Sequence, residues 1–180
     1  MEIVRIFGDN LLSIKYETSE DDEFYKAFSN WTDAEFLENF FEKHKSDLQS
    51  GHWGSITVEK AVLKTSKVAL RLEKTFRKLE KAKETGRIKI LQSLFVPLND
   101  THIHNEEFSK SKVRRSWIRL YGLRIDASSY IITGGTIKLT ATMNEREHTN
   151  IELKKLNEVK GFLLSQGICD IEGVTAEIDN

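Results

Sequence analysis

The chain has few cysteine and proline residues and no long apolar run. It contains one cysteine, Cys169, and one proline, Pro97, among 180 residues. A single cysteine excludes an internal disulfide and a cysteine-based zinc site. No apolar run approaches the roughly 18 residues that a membrane span needs, and the opening Met-Glu-Ile-Val-Arg has charges where a secretory signal needs an apolar core. These absences predict a soluble, cytoplasmic protein with no membrane partner.

The remaining composition is that of an ordinary globular protein. Hydrophobic residues make up 39% and charged residues 31% of the chain, which is enough apolar surface for a sizeable core. We predict a single α+β domain over residues 1–180, with a small antiparallel sheet packed by several amphipathic helices. Residues 1–98 would form a hairpin and a helical part, and residues 112–167 a cationic β-hairpin with a closing helix.

Charge is distributed unevenly along the chain. Residues 1–50 hold 5 Lys/Arg against 12 Asp/Glu, whereas residues 51–100 hold 11 against 5 and residues 101–150 hold 8 against 5. An acidic first part joined to a basic middle is consistent with a nucleic-acid surface beside an acidic face.

The first part is expected to be mainly scaffold. Residues 3–7 and 11–16 flank Gly8-Asp9-Asn10 as a β-hairpin does, and Thr32 to Glu35 matches a capping box. The aromatic residues that follow the capping box at helical spacing are expected to lie in the core rather than to line a ligand pocket. Trp53, between two glycines, is expected to anchor its loop to the core, although His52 and Trp53 together could form a recognition feature.

The longest predicted helix begins after Thr57 and ends near Gly86. One face is apolar, and the other is rich in lysine and arginine. That second face could contact nucleic acid, could receive a partner helix, or could be a solvated surface with i,i+4 ion pairs.

The most informative stretch is a pair of strands after the basic segment at Lys110. Residues 116–125 alternate so that Trp117, Arg119 and Tyr121 share one face. Residues 126–129 turn the chain, and the second strand contains Gly134-Gly135, which permit a bulge. Both faces of residues 116–125 are largely apolar, so Arg119 and Arg124 must be paired or must face an anionic ligand.

A polar turn and a final amphipathic helix follow this hairpin. Thr149 to Glu152 matches a second capping box, and Gly167 suits the end of the helix. Arg146 and His148 would precede the helix N-terminus, whose backbone donors favour an anion. His148 could carry protons near neutral pH, or could simply pack against the capping turn.

These patterns predict ten site residues and do not predict a metal or a cofactor. The candidate catalytic residues are Arg119, Arg124, Lys138, Arg146 and His148. The candidate nucleic-acid-binding residues are Lys112, Arg114, Arg115, Trp117 and Tyr121, the two aromatic residues being able to stack a base.

The order of strand, turn, strand with a late lysine, polar turn and amphipathic helix resembles the C-terminal half of RelE/HigB-type toxins. The resemblance covers roughly the last third of the chain. It implies metal-independent mRNA cleavage, often on the ribosome, with Arg119, Arg124, Lys138, Arg146 and His148 at the matching positions. It also implies that an antitoxin protein is a partner, which the acidic first part could hold.

Two other functions remain open at this point. The chain could be a non-catalytic module, phage- or defence-related, that binds nucleic acid or protein. His102 and His104 form a His-x-His pair that could ligate a metal if it lay on a strand, but the surrounding residues predict a loop.

Overall fold

The computed structural model describes residues 1–50, 52–98, 108–143 and 145–180. Its strands are β1 (Glu2–Phe7), β2 (Leu11–Lys15), β3 (Phe95–Pro97), β4 (Ser109–Arg115), β5 (Ile118–Arg124) and β6 (Tyr130–Ile137). Its helices are α1 (Glu23–Thr32), α2 (Ala34–Lys43), α3 (Lys45–Leu48), α4 (Val58–Phe76), α5 (Lys78–Lys81), α6 (Glu84–Leu94), α7 (Glu147–Ser165) and α8 (Ile171–Asp179).

The strands form one sheet in the order β1-β2-β6-β5-β4-β3. Neighbouring strands are antiparallel except β2 and β6, which are parallel. The predicted α+β class is confirmed, although the sheet is mixed rather than wholly antiparallel. The predicted parts 1–98 and 112–167 both contribute strands, because β2 from the first pairs with β6 from the second.

Helices cover both faces of this sheet. One face buries residues from α1, α2, α4 and α6, including the large side chains Trp31, Phe41 and Phe76. The other face buries residues from α7 and α8, including Leu156 and Val174. No helix in the described residues is both long and apolar enough to cross a membrane.

The N-terminal hairpin is confirmed, but Thr32 does not cap a helix as the sequence predicts. Thr32 is the last residue of α1, and its hydroxyl donates to the Phe28 carbonyl at 2.8 Å. Asp33 caps α2 instead, accepting from the Phe36 amide at 2.7 Å. The predicted capping box is therefore not formed. The N-cap lies one residue later, at Asp33, and its N3 residue is Phe36, which cannot bond back to the cap.

The long lysine-rich helix is divided into three. Thr57 caps α4 as predicted, accepting from the Lys60 amide at 3.3 Å. The helix ends at Phe76, however, and Gly86 lies inside α6 rather than terminating a single helix. The apolar residues 88–98 are divided between the end of α6 and the short strand β3.

Strand β4 was missed in the sequence, where residues 99–111 read as a loop. Its basic residues lack the apolar alternation of a half-buried strand, yet they pair along the whole of β5. Residues 99–107, with His102 and His104, lie outside the described residues.

The predicted bulge is present beside Gly134. Tyr121 pairs with Gly134, but the next residue of β5, Gly122, pairs with Ile132, so Thr133 is an extra residue on β6. An extra residue reverses which side chains face each side of the sheet.

Helix α7 begins before its predicted capping box. Arg146 occupies the N-cap position without a side-chain cap bond, so His148 is already within the helix. The Thr149 hydroxyl donates to the Arg146 carbonyl at 2.8 Å rather than capping. Gly167 ends the helix as predicted, with a φ of +69°, and α8 follows without having been predicted.

Candidate anion-binding groove

The pairing of β4 with β5 places basic side chains on one face of the sheet. Arg114 lies opposite Arg119, Lys112 opposite Tyr121, and Lys110 opposite Leu123. Directly opposed residues on antiparallel strands project from the same face. Three cations of β4 and one of β5 therefore share a surface.

The bulge at Thr133 brings a further cation to this surface. Tyr130 and Ile132, before the bulge, point to the α4 side, and so do Ile137 and Leu139 after it. Even-numbered residues thus change sides at the bulge. Lys138 consequently faces the same side as Arg119, whose partner across the pair is Thr136. A regular strand would have turned Lys138 to the opposite side.

These residues line a groove of about 410 Å³ between β4, the segment after β6 and α7. We call it the cationic groove. Its polar lining consists of Lys110, Lys112, Arg114, Arg119, Lys138 and Tyr121. Leu98, Ala141, Met143 and Leu153 supply the apolar lining. No described lining residue is acidic, so the groove concentrates positive charge.

Arg119 is the most buried cation of the groove, with 6% of its surface exposed. Its Nη1 donates to the carbonyls of Ser116 at 2.7 Å and Ile118 at 2.8 Å, and no described carboxylate forms an ion pair with it. Burial, followed by repulsion from Arg114, lowers the pKa of Arg119 to about 10. The guanidinium remains charged at neutral pH and lacks a counter-ion within the described chain.

Lys138 and Tyr121 complete the deep part of the groove. Lys138 Nζ donates to the carbonyls of Thr140 and Ala141, and burial, followed by repulsion from Arg119, lowers its pKa. Tyr121 is 1% exposed, its hydroxyl has no hydrogen-bond partner in the described ranges, and burial raises its pKa. The deep part of the groove therefore combines the Arg119 charge with the Tyr121 hydroxyl, the first without an ion pair and the second without a hydrogen bond in the described residues.

Five of the ten nominated residues line this groove, and the other five do not. Lys112, Arg114, Arg119, Tyr121 and Lys138 belong to it. Arg124 projects from the face of β5 opposite to that of Arg119. Its Nε donates to the Asp126 carbonyl at 2.8 Å. Arg115 is exposed beyond the groove and donates to the Arg114 carbonyl at 2.9 Å.

Arg146 and His148 belong to a separate cluster at the start of α7. Arg146 Nε lies 2.7 Å from Asp47 Oδ2 and its Nη2 lies 2.5 Å from Oδ1, so α3 neutralises it. His148 Nε2 lies 3.0 Å from the Ile137 carbonyl oxygen, and its ring packs 4.6 Å from that of His44. Burial lowers the pKa of both histidines. Neither nominated residue lines the groove.

Trp117 is fully buried and cannot stack on a base. Its Nε1 donates to the Thr65 hydroxyl at 2.7 Å, and its ring packs against Phe41 and Trp53. The alternation that placed it beside Arg119 fails because Trp117 belongs to the turn before β5, where Ser116 has a φ of +54°. Trp53 does anchor its loop, donating from Nε1 to the Leu139 carbonyl at 2.9 Å.

The basic residues Lys60, Lys64, Lys67, Arg71 and Lys74 of α4 are exposed, as on a solvated helix face. Arg77, just beyond the helix, pairs with Glu73 at 2.7 Å. Lys64 lies 4.3 Å from the centroid of the Trp117 ring. This face lies on the side of the sheet opposite the groove, so the two basic regions do not form one pocket.

Lys110 is the groove residue that the sequence analysis left out of the site. Its Nζ lies 2.5 Å from Asn157 Oδ1 on α7 and thereby bridges β4 to the helix. The alternation Lys110, Lys112, Arg114 would have identified it once β4 was recognised as a strand.

Comparisons with known proteins identify no relative of this chain. No family model, curated protein or solved structure matches the chain.

Proposed function

We propose that the cationic groove binds single-stranded RNA through its phosphate groups. The observation that carries this proposal is Arg119, a 6% exposed guanidinium without a carboxylate partner in the described chain. Burying a charge costs free energy unless it is paired. A phosphate offsets that cost, and bidentate contact with phosphate is a property of guanidinium in particular.

The arrangement of cations along β4 favours an extended nucleic-acid strand over a single compact anion as the ligand. Lys110, Lys112 and Arg114 alternate on one face, so successive cations are about 6.8 Å apart along the strand. Such a row can contact successive phosphates of an extended chain. A single strand can enter a groove of about 410 Å³, whereas a double helix could touch only its rim.

The buried aromatic residues argue for phosphate-led recognition. Tyr121 and Trp117 are both almost fully covered, so neither offers a ring face to a base. Binding of this kind depends on charge and is nearly independent of sequence, and it weakens steeply with salt.

Fluorescence anisotropy with a labelled 12-nucleotide RNA tests the proposal. Single-strand binding loses affinity with a slope of about 0.7 per phosphate contact in a plot of log affinity against log salt. Arg119→Gln and Lys112→Gln should each weaken binding and reduce that slope. Arg77→Gln, an exposed arginine outside the groove, is the matched control.

Circular dichroism establishes that each variant is folded. Equal affinity for wild type and the folded double variant Arg114→Gln/Arg119→Gln would overturn the proposal. So would an affinity that does not change with salt.

A second candidate function is cleavage of the bound RNA, as the RelE/HigB-type resemblance implies. The lowered pKa of Lys138, beside Arg119, favours it. Lys138 in its neutral form can take the proton of a ribose 2′-hydroxyl, whose oxygen then attacks phosphorus. The P–O5′ bond then breaks, which leaves a 2′,3′-cyclic phosphate and a 5′-oxygen that takes its proton from water. Arg119 and Arg114 stabilise the phosphorane.

In this second function the chain acts as a cytoplasmic toxin, with mRNA on the ribosome as substrate and an antitoxin as inhibitor. RNA incubated in excess EDTA should be cleaved by wild type and not by Lys138→Gln. Growth arrest on expression, relieved by a neighbouring reading frame, is the cellular counterpart. Intact RNA after prolonged incubation, together with harmless expression, would leave binding as the function.

A further inference from the structure

The cationic groove has a rim and a floor that differ in access. Arg114 at the rim is exposed. Arg119 and Tyr121 at the floor are 6% and 1% exposed. A ligand must therefore insert a narrow group to reach the floor residues.

Some hydrogen-bond donors on the floor of the groove have no partner among the described residues. Arg119 donates to backbone carbonyls through Nη1, which leaves Nε and Nη2 without a described partner. The Tyr121 hydroxyl has no hydrogen-bond partner among the described residues. Most buried polar groups in proteins are hydrogen-bonded. The Tyr121 hydroxyl is one of three described side-chain atoms that are not, with Thr133 Oγ1 and Glu152 Oε2, and because Tyr121 lines the groove its hydroxyl is available to an acceptor that enters there.

Two kinds of phosphate differ in their ability to reach this floor. An internal phosphodiester is flanked by a nucleoside on each side and carries one negative charge. A terminal phosphomonoester is attached through one oxygen only, carries close to two charges at pH 7, and presents three acceptor oxygens. The second kind fits a deep site with several cations.

We infer that the floor of the groove receives a terminal phosphate, with Arg119 and the Tyr121 hydroxyl as donors and Lys138 and Arg114 beside them. This inference rests on the proposed function, because it specifies which phosphate of the RNA the groove holds. The β4 lysines would then contact the phosphates that follow the terminal one.

The same phosphomonoester chemistry is available from two sources, an RNA end and a free mononucleotide. The probes are 12-nucleotide RNAs of one sequence bearing a 5′-phosphate, a 3′-phosphate or neither, together with adenosine 5′-monophosphate as a competitor. An RNA with one of the terminal phosphates should bind roughly tenfold more tightly than the RNA with neither, as charge-assisted hydrogen bonds would provide.

Two further readouts separate insertion at the floor from general attraction. The preference should diminish as pH falls through about 6, where the monoester loses its second charge. Tyr121→Phe should reduce the preference for the phosphorylated RNA over the unphosphorylated RNA several-fold. Tyr16→Phe, which removes a hydroxyl that donates to the Thr133 carbonyl at 3.3 Å, is the control.

Tyr121→Phe is expected to fold, because it removes a buried hydroxyl that has no described partner, and its urea midpoint should be at least that of wild type. Equal binding of all three RNAs would overturn the inference and leave the proposed function intact. Binding of none of them at low salt would overturn both. Complete competition by equimolar adenosine 5′-monophosphate would support the phosphomonoester site and overturn RNA as its source.

Discussion

Arg114 and Arg119 lie directly opposite each other on β4 and β5. Like charges in this position repel across the pair of strands, and repulsion from Arg114 contributes, after burial, to the lowered pKa of Arg119. The two residues therefore make the unliganded sheet less stable than a neutral pair would. An anion bound between or above the guanidinium groups, as proposed, would offset this repulsion.

Replacing one of these arginines should separate stability from binding. We expect Arg114→Gln to raise the free energy of unfolding by about 0.5 kcal/mol, because cross-strand pairs contribute on that scale, and to weaken RNA binding. Urea denaturation at low ionic strength and anisotropy measure the two quantities. Arg115→Gln, next to it but outside the groove, should change neither, and a loss of stability in Arg114→Gln would contradict the repulsion.

Trp117 should matter for stability and not for binding. Thr65→Val removes the acceptor of the buried indole N–H, 2.7 Å away, and should cost about 1–3 kcal/mol of unfolding free energy. Urea midpoints measure this loss. Thr75→Val is the comparison, since its hydroxyl bonds only to the Arg71 carbonyl of its own helix, at 3.0 Å. A folded Thr65→Val protein should bind RNA as wild type does.

Arg146 should behave as a structural residue. Arg146→Ala leaves the Asp47 carboxylate, only 10% exposed in its side chain, without its bidentate partner, and we expect the variant to unfold at a lower temperature than wild type. Thermal denaturation measures it, and Asp47→Asn should show a loss in the same direction. Reduced RNA affinity in a folded Arg146→Ala protein would mean that the groove extends to α7's first turn.

The two histidines should make the protein sensitive to acid. Burial lowers the pKa of His148 and of His44 in the folded state, whereas the unfolded chain titrates near 6.5. As the pH falls below about 6.5, the unfolded state binds more protons than the folded state, so the free energy of unfolding decreases. Above that pH these two histidines do not change the stability. Asp47 and Arg146, which also face the rings, act in opposite directions on both.

Unfolding free energies of wild type and His148→Gln between pH 7.5 and pH 5 check this expectation. The variant should lose less stability over that interval. A parallel loss in both proteins would assign the acid sensitivity to other groups.

The class of the fold and much of its framework followed from local patterns. The N-terminal hairpin, the Thr57 cap, the bulge beside Gly134 and the Gly167 terminus each depend on a few neighbouring residues, which is why the sequence predicts them. Element boundaries were less secure where two caps competed, as at Thr32 and Asp33.

The sequence analysis identified only some of the residues that line the groove, because the groove is assembled by the register of the strands. Lys110 and Lys112 lie in a strand without apolar alternation, and Lys138 reaches the groove only through an extra residue, Thr133. Conversely, Arg146 and His148 were nominated for their position before a helix, but a distant carboxylate at Asp47 occupies that arginine. Long-range pairs of this kind leave no periodic signal in the chain.

The parallel pairing of β2 with β6 has a consequence for how the chain assembles. Leu11 pairs with Tyr130 and Ser13 with Ile132, so the early hairpin has no sheet to join until most of the polypeptide has been synthesised. During that delay the β2 edge is unpaired, and an unpaired edge is where another chain can add. Nascent or truncated chains that end before Tyr130 should accordingly be the species most prone to aggregate.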